Sequence, residues 1–266
     1  MKTLVIPDVH LKPWLFDRAM RILKDKKAET AVCLMDIADD RYMGNRVDLY
    51  EETYERAVQF AQAHPDTLWR WGNHDISYLW DRPESGYSPA AKRTVVKMIG
   101  ELQNALKSPS QIAFIHRIDN VLFSHGGLSA RFVRRLGGKL TEAGIDKVLA
   151  AVNSAPQDLL WEDGSPLWLR PQAGGTEMFG SETFIQAIGH TPSESIYEEN
   201  GVIYADVFST ASDGEQIGEA AMPVIDTLTK AYEIIAVEGK PRKLPSDWDM
   251  LGPARRRHKK RPGFMR

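Results

Sequence analysis

Short apolar stretches in this chain run, one after another, straight into clusters of Asp, Asn and His. Lys2 to Ile6 leads into Pro7-Asp8-Val9-His10, Ala31 to Met35 into Asp36-Ile37-Ala38-Asp39, and Thr67 to Trp71 into Gly72-Asn73-His74-Asp75. Between them, Trp14 to Ala28 places Leu15, Ala19, Ile22 and Leu23 near a 3.6-residue period, and Leu49 to Ala63 is helical in pattern up to His64-Pro65. Strand, helix, strand, helix, strand predicts a parallel sheet with the polar clusters along its carboxyl edge.

The texture changes further on. Residues 76–89 read as a loop and Pro89 to Leu106 as a helix. Ile112 to Ile115 and Val121 to Phe123 read as a hairpin leading into Ser124-His125-Gly126-Gly127. Helical stretches are expected near 128–136 and 141–152, and 153–180, rich in Gly, Pro and Trp, read as loops around a site. Ser181 to Ile188 reads as a short helix before Gly189-His190-Thr191-Pro192. Ser195 to Glu198 and Gly201 to Ala205 suggest a hairpin turning at Asn200-Gly201, and Val224 to Leu228 and Ala231 to Val237 are expected to close a second sheet.

With 266 residues, 42% hydrophobic and 26% charged, the chain has the size and balance of one layered globular domain and not of a disordered polymer. No stretch approaches the ~20 apolar residues of a membrane span. The apolar run near the N-terminus breaks at Pro7-Asp8, so it reads as a first strand and not as a signal peptide. A single cysteine, Cys33, excludes an internal disulfide and favours a reducing, cytoplasmic setting. The net charge of -2 hides an asymmetry: residues 241–266 hold nine Lys or Arg against two Asp, leaving 25 basic and 34 acidic residues elsewhere. We therefore expect a domain over 1–240 and a basic, Pro-containing, flexible tail over 241–266. Arg255-Arg256-Arg257-His258-Lys259-Lys260-Arg261 offers the tail a contact with nucleic acid or another polyanion.

Four of the seven histidines, His10, His74, His125 and His190, stand in Gly-adjacent or Asp-adjacent loops after apolar stretches. Asp8, Asp36, Asp39, Asn73 and Asp75 stand in the same kind of loop. Carboxylate oxygens, imidazole nitrogens and an amide oxygen suit manganese, iron or zinc. An extended backbone through Asp8-Val9-His10 is expected to put both polar side chains on one side. Asp36 and Asp39 are close enough in sequence to face one cavity. Each motif alone is weak; their order, placement and ligand types together are what point to a metal site.

This series resembles the calcineurin-like metallophosphoesterases, and among them the compact bacterial and phage serine/threonine phosphoprotein phosphatases, from Asp8 to about Asp206. The resemblance implies a four-layer α/β/β/α sandwich of two mixed sheets flanked by helices, and two divalent ions, manganese first with iron or zinc as alternatives. Asp8, His10 and Asp36 match the ligands of one ion. Asp36, Asn73, His125 and His190 match those of the other, with Asp36 as the bridge. His74 matches the catalytic acid and Asp39 its partner, while Asn73 also matches a phosphate contact. The implied reaction is phosphomonoester hydrolysis by a hydroxide held between the two ions, on a phosphorylated protein substrate. Dinucleoside tetraphosphate or other nucleotide hydrolysis, and a polynucleotide end phosphatase, are the alternatives, and a noncatalytic nucleic-acid-binding scaffold is the contrasting one.

The sequence departs from that family at the phosphate end. Met35 stands where the family has glycine, which implies an altered turn. Asp40 stands where a clamp arginine is usual; its carboxylate would repel phosphate, so either Arg41 reaches in or this clamp is absent. Leu167-Trp168-Leu169-Arg170-Pro171 resembles the segment carrying a second clamp, making Arg170 the candidate. Among the tryptophans, Trp80, Trp161 and Trp168 are candidates to line a substrate mouth. Asp206 is a candidate to support the metal loops.

Overall fold

The computed structural model describes residues 1–25, 27–137 and 141–237. The expected basic tail lies outside the described residues. The chain begins with β1 (Lys2–Ile6), α1 (Trp14–Lys24), β2 (Thr30–Cys33), α2 (Val47–Ala63) and β3 (Leu68–Arg70). It continues through α3 (Asn73–Trp80), α4 (Lys92–Ala105), β4 (Ile112–Ala113), β5 (Ile115–Ile118) and β6 (Val121–Ser124). Helices α5 (Ala130–Leu136), α6 (Ile145–Asn153) and α7 (Gln157–Leu160) precede β7 (Ile185–Ile188), β8 (Tyr197–Glu199), β9 (Val202–Tyr204), β10 (Ala221–Asp226) and β11 (Tyr232–Ala236).

Two mixed sheets result. The first runs β11-β10-β1-β2-β3-β4, parallel from β1 to β4, with β10 and β11 antiparallel at one side. The second runs β5-β6-β7-β9-β8, with β6, β7 and β9 parallel and an antiparallel strand at each edge. Helices flank this pair of sheets, which is the expected fold class. No helix among the described residues is long and apolar enough to cross a membrane.

Four local expectations are corrected. Residues 73–80 form α3 and not a loop, so the Gly-Asn-His-Asp cluster opens a helix. Residues 185–188 are the fully buried strand β7; a segment that short and buried on both faces has no periodicity to separate strand from helix. The stretch from Ile112 to Ile115 divides, β4 joining the first sheet and β5 the second. Strands β10 and β11 extend the first sheet beside β1 and do not close the second.

The elements form where their apolar spacing allows. Helix α1 buries Leu15, Phe16, Ala19, Ile22 and Leu23 on one stripe, carries Asp17 in its first turn and ends with Arg21 and Lys24, complementing its dipole. It stops at Lys24, short of the expected Ala28, where the Asp25 N–H bonds back to the Arg21 carbonyl. Phe16 of α1 and Phe60 of α2 close over the fully buried Trp69 of β3, with ring centroids 6.1 and 6.4 Å from it. This cluster fixes both helices on one face of the first sheet and so sets where β1, β2 and β3 release their polar ends. Trp69→Ala is expected to cost about 3–5 kcal/mol, the usual range for emptying a buried aromatic site. Denaturant unfolding of the two proteins measures it.

Candidate metal and phosphate site

The loops that follow β1, β2, β3, β6 and β7 meet at one point between the sheets. Their backbones are unusual there: His10, Met35, Asp36, Asp39 and His190 all have positive φ, at 42°, 61°, 42°, 59° and 68°. Non-glycine residues rarely adopt this region, and its concentration here marks a tightly determined site. Met35 thus takes up the left-handed turn that a glycine would make without strain, while its side chain is fully buried. Asp8 and His10 are brought together by a left-handed turn at His10, and not by the extended alternation expected from their spacing.

Asp36 is the centre. It groups with His10 and His74 on one side, and with His125 and His190 on the other; within each group the candidate ligand atoms lie within 4.8 Å of one another. Asp8, His10 and Asp206 form an adjoining group of the same kind. Two glycines permit the approach. A Cβ on Gly72 would stand 2.1 Å from the Asp36 Oδ1, and one on Gly189 would stand 1.8 Å from the Asp8 Oδ1. The His74 N–H donates to Asp36 Oδ1 (3.0 Å) and the His190 N–H to Asp8 Oδ2 (2.7 Å).

The imidazoles are held by their far nitrogens. His10 Nδ1 is 2.8 Å from the Asp39 carbonyl oxygen and His125 Nδ1 is 3.1 Å from that of Leu34, so each donates through Nδ1 and turns Nε2 inward. His125 Nε2 then lies 2.9 Å from Asn73 Oδ1 and 3.1 Å from Asp36 Oδ2. With Nδ1 already donating, three electron-rich atoms converge, and either a proton on Nε2 or a cation must stand among them. Asp8 Oδ1 and His190 Nε2 are buried with no hydrogen-bond partner. Orphaned ligand atoms beside a convergent N/O set are what a divalent-ion site requires, so these residues fit such ions.

The charges are tightly linked. Burial raises the Asp8 carboxyl well above its usual range, and the Asp206 charge adds to this. For Asp36 burial acts in the same direction, but the fields of His125, His74 and His10 outweigh it and hold the carboxyl far below the normal range. Burial opposes the charged forms of His125 and His74, yet Asp36 and the surrounding carboxylates carry them up to about 9 and about 10. His190 is pushed well down by burial, then by His125 and Arg170.

A cavity of about 550 Å³ opens above this point. His10, Asp36, Asn73, His74, Arg41, Arg170 and His190 all line it, so both arginine candidates face the same space as the metal-type residues. Trp168 also lines it, at the end of a row of aromatic rings through Trp161 to Trp80. Arg41 donates through Nε to the Thr210 carbonyl, and Arg170 through Nη1 to the His190 carbonyl and the Thr191 hydroxyl. Asp40 is neutralised by the nearly buried Lys12, whose Nζ is 2.9 Å from Asp40 Oδ2 and also bonds the His10 carbonyl. The repulsion expected from Asp40 is thereby answered inside the fold.

Asp39 accepts from His74 Nδ1 through Oδ2 at 3.0 Å, while the hydroxyls of Tyr50 and Tyr78 donate to its Oδ1 at 2.6 and 2.5 Å. Asp75 accepts from the Ile37 and Ala38 N–H groups and from the Tyr54 hydroxyl, pinning the loop between Asp36 and Asp39. Two lining or supporting residues lie outside the sequence motifs. Lys12 carries no motif signal, and Glu84, in the loop after α3, reaches His74 and Asn73; burial raises its carboxyl to about 7. Asp206 did carry a signal, an Asp directly after an apolar strand.

The family described as calcineurin-like phosphoesterase matches residues 1–212. A cold-active protein-tyrosine phosphatase from a psychrophilic Shewanella species is 20% identical, with a TM-score of 0.54 over 88% of this chain and 80% of that one. A serine/threonine protein phosphatase from Saccharomyces cerevisiae is 16% identical, with a TM-score of 0.50 over 91% of this chain and 81% of that one. At these identities the two likenesses are of fold. No curated protein matches the sequence significantly.

Gly189→Ala is expected to displace Asp8, because the new Cβ cannot coexist with its carboxylate. Far-UV circular dichroism should stay near that of the parent, while the metal content of the purified protein falls. Unchanged metal content would show that the Asp8 and Gly189 loops are not tied as described.

Proposed function

The chain belongs to the calcineurin-like phosphoesterase family, and from that premise we propose that it is a two-ion phosphomonoesterase of the serine/threonine protein phosphatase type. The observation that carries this reading is that Asp36 groups with His10 on one side and with His125 and His190 on the other, with Asp8 joined to the first side through His10, on the wall of a cavity that also holds two arginines. Asp8, His10 and Asp36 would hold one ion; Asp36, Asn73, His125 and His190 would hold the other. Asp206 adjoins the first set. The mixed oxygen and nitrogen donors suit manganese, with iron or zinc as alternatives. Two such ions, when bound, supply Lewis acidity and a water made acidic enough to act as a nucleophile near neutral pH.

The protein's own groups do the rest. Arg41 and Arg170 present positive charge to a phosphate in the cavity, and Asn73, which lines the same cavity, would meet one of its oxygens through the Nδ2 hydrogen that Glu84 does not take. His74 is the general acid. Its Nδ1 is fixed on Asp39 Oδ2, which leaves Nε2 to give a proton to the ester oxygen as the bond from that oxygen to phosphorus breaks. Asp39 is held in turn by Tyr50 and Tyr78, so the ring of His74 cannot swing away from its task. Water supplies the new oxygen on phosphorus, and no group of the protein is phosphorylated.

Asp36→Asn is expected to reduce metal-dependent hydrolysis of an activated aryl phosphate to background, with metal content falling in parallel. Near-normal turnover with a full complement of ions would overturn the reading. His74→Asn should keep the ions and lower kcat by about 10²–10⁴-fold, the usual contribution of a positioned acid. The effect should be larger on alkyl phosphates, whose leaving oxygens need the proton, than on activated aryl phosphates.

Substrate class rests on a comparison of phosphoserine and phosphothreonine peptides with dinucleoside tetraphosphates and end-phosphorylated oligonucleotides. Preference for the peptides supports the protein phosphatase reading, and activity confined to nucleotides would defeat it. For the tail, deletion of residues 250–266 is expected to weaken oligonucleotide binding and flatten its salt dependence, since those residues hold seven of the chain's basic side chains.

A further inference from the structure

Glu84 belongs to none of the motifs that build the site, yet its side chain ends inside it. The residue lies in the loop between α3 and α4, whose Glu84, Ser85 and Gly86 form one wall of the cavity. The loop is seated closely: a Cβ on Gly86, where φ is 92°, would stand 3.3 Å from the His74 ring and 3.4 Å from the Asp39 Cβ. Glu84 Oε1 accepts a hydrogen bond from Asn73 Nδ2 at 2.8 Å and lies 3.0 Å from His74 Nδ1.

The consequence falls on Asn73. An asparagine amide has an oxygen end and a nitrogen end of nearly equal size, and only its partners decide which faces a given neighbour. Glu84 can receive the NH₂ end and cannot receive the carbonyl end. With Nδ2 held on Glu84, Oδ1 is turned toward His125 Nε2, 2.9 Å away, and so into the group shared with Asp36. The opposite amide orientation would offer N–H groups where an ion needs an oxygen, and would set oxygen against the Glu84 carboxylate.

We propose that Glu84 is a positioning residue that locks the Asn73 amide with its oxygen toward the second ion, and so presets that ion's site before any metal arrives. The inference rests on the two-ion reading above. It makes the loop between α3 and α4 part of the metal site, although no residue of that loop is a proposed ligand. Glu84 acts through Asn73 and touches neither ion. What the Asn73 side chain must have from it is an acceptor, and the negative charge is secondary.

The test uses metal-stripped full-length protein with Glu84→Ala and Glu84→Gln, titrated with manganese by calorimetry and assayed for bound metal after dialysis. The glutamine variant retains a carbonyl oxygen able to accept from Asn73 Nδ2; the alanine variant does not. Of the two binding events, the one at the site that Asn73 serves is expected to weaken by about 10–100-fold in Glu84→Ala, the usual effect of removing a partner that orients a metal ligand. The other event should be little changed, and Glu84→Gln should recover most of the loss. Circular dichroism and thermal unfolding of the metal-free proteins separate a folding defect from a lost lock. Equal affinity for both ions in all three proteins would overturn the inference while leaving the two-ion reading intact, as would a glutamine variant as weak as alanine. Failure of the parent to bind two ions would instead remove the reading on which it rests.

Discussion

Burying the Asp36 carboxylate at the junction of two sheets constrains nearly everything around it. A lone ionised carboxylate in such a place is prohibitively costly, so it must be surrounded by positive or donating groups. The chain supplies them from elements far apart in sequence: the His74 N–H at the start of α3, and His125 from the end of β6. For those groups to arrive, Gly72 must lack a side chain, since a Cβ there would overlap the Asp36 oxygen. The loop itself must turn in the left-handed region at Met35 and Asp36, at about 1–2 kcal/mol for each such residue. Packing of α1 and α2 over Trp69 holds that strained turn in place.

Helix α2 contributes more than a covering layer. Tyr50 and Tyr54 are one helical turn apart, so their hydroxyls leave the same face and reach Asp39 and Asp75 respectively. Asp39 then faces His74, while Asp75 ties down the N–H groups of Ile37 and Ala38. A net contribution of about 1 kcal/mol from each such bond is modest for stability. Their greater effect is on position: a buried network with every member satisfied admits few alternative arrangements. The stability of α2 and the geometry of His74 are therefore one problem, although the two are separated by a whole strand.

The parts of this molecule that were legible in its sequence are those set locally. An apolar stretch ending in Asp-Val-His or Gly-Asn-His-Asp puts its polar residues at a strand end, and Asp8, His10, Asp36, Asn73, His74, His125 and His190 do gather at one point, though the turn at His10 and the helix opened by Asn73 are not written in that spacing. The errors fall where distant partners decide. Val224 and Ile225 look the same whether their strand pairs with β1 or closes another sheet, and only tertiary pairing settles it. Phe184 to Ile188 is buried on both faces, Gln186 included, so no buried-exposed alternation marks it as a strand. Lys12 and Glu84 belong to loops with no ligand motif, and their roles exist only through Asp40, Asn73 and His74, residues far away in the chain.

The same distances explain why a carboxylate next to the usual clamp position is tolerable. Asp40 spends its charge on Lys12, and the Lys12 ammonium cannot then serve phosphate. Arg41 and Arg170 remain as the arginines lining the cavity among the described residues, beside a His74 ring whose charged form the nearby carboxylates favour. Asp36, Asp39 and Glu84 also line the cavity, with Asp8 and Asp206 buried beside His10. Buried carboxylates that lose their protons act on a phosphate dianion at short range and with little screening, so cations among them favour its entry. On the two-ion reading, the metals would thus help to admit the substrate as well as to activate water. On the same reading the arginines would orient the ester oxygen toward His74, which leaves Asp36 as the group on which binding and chemistry would both depend.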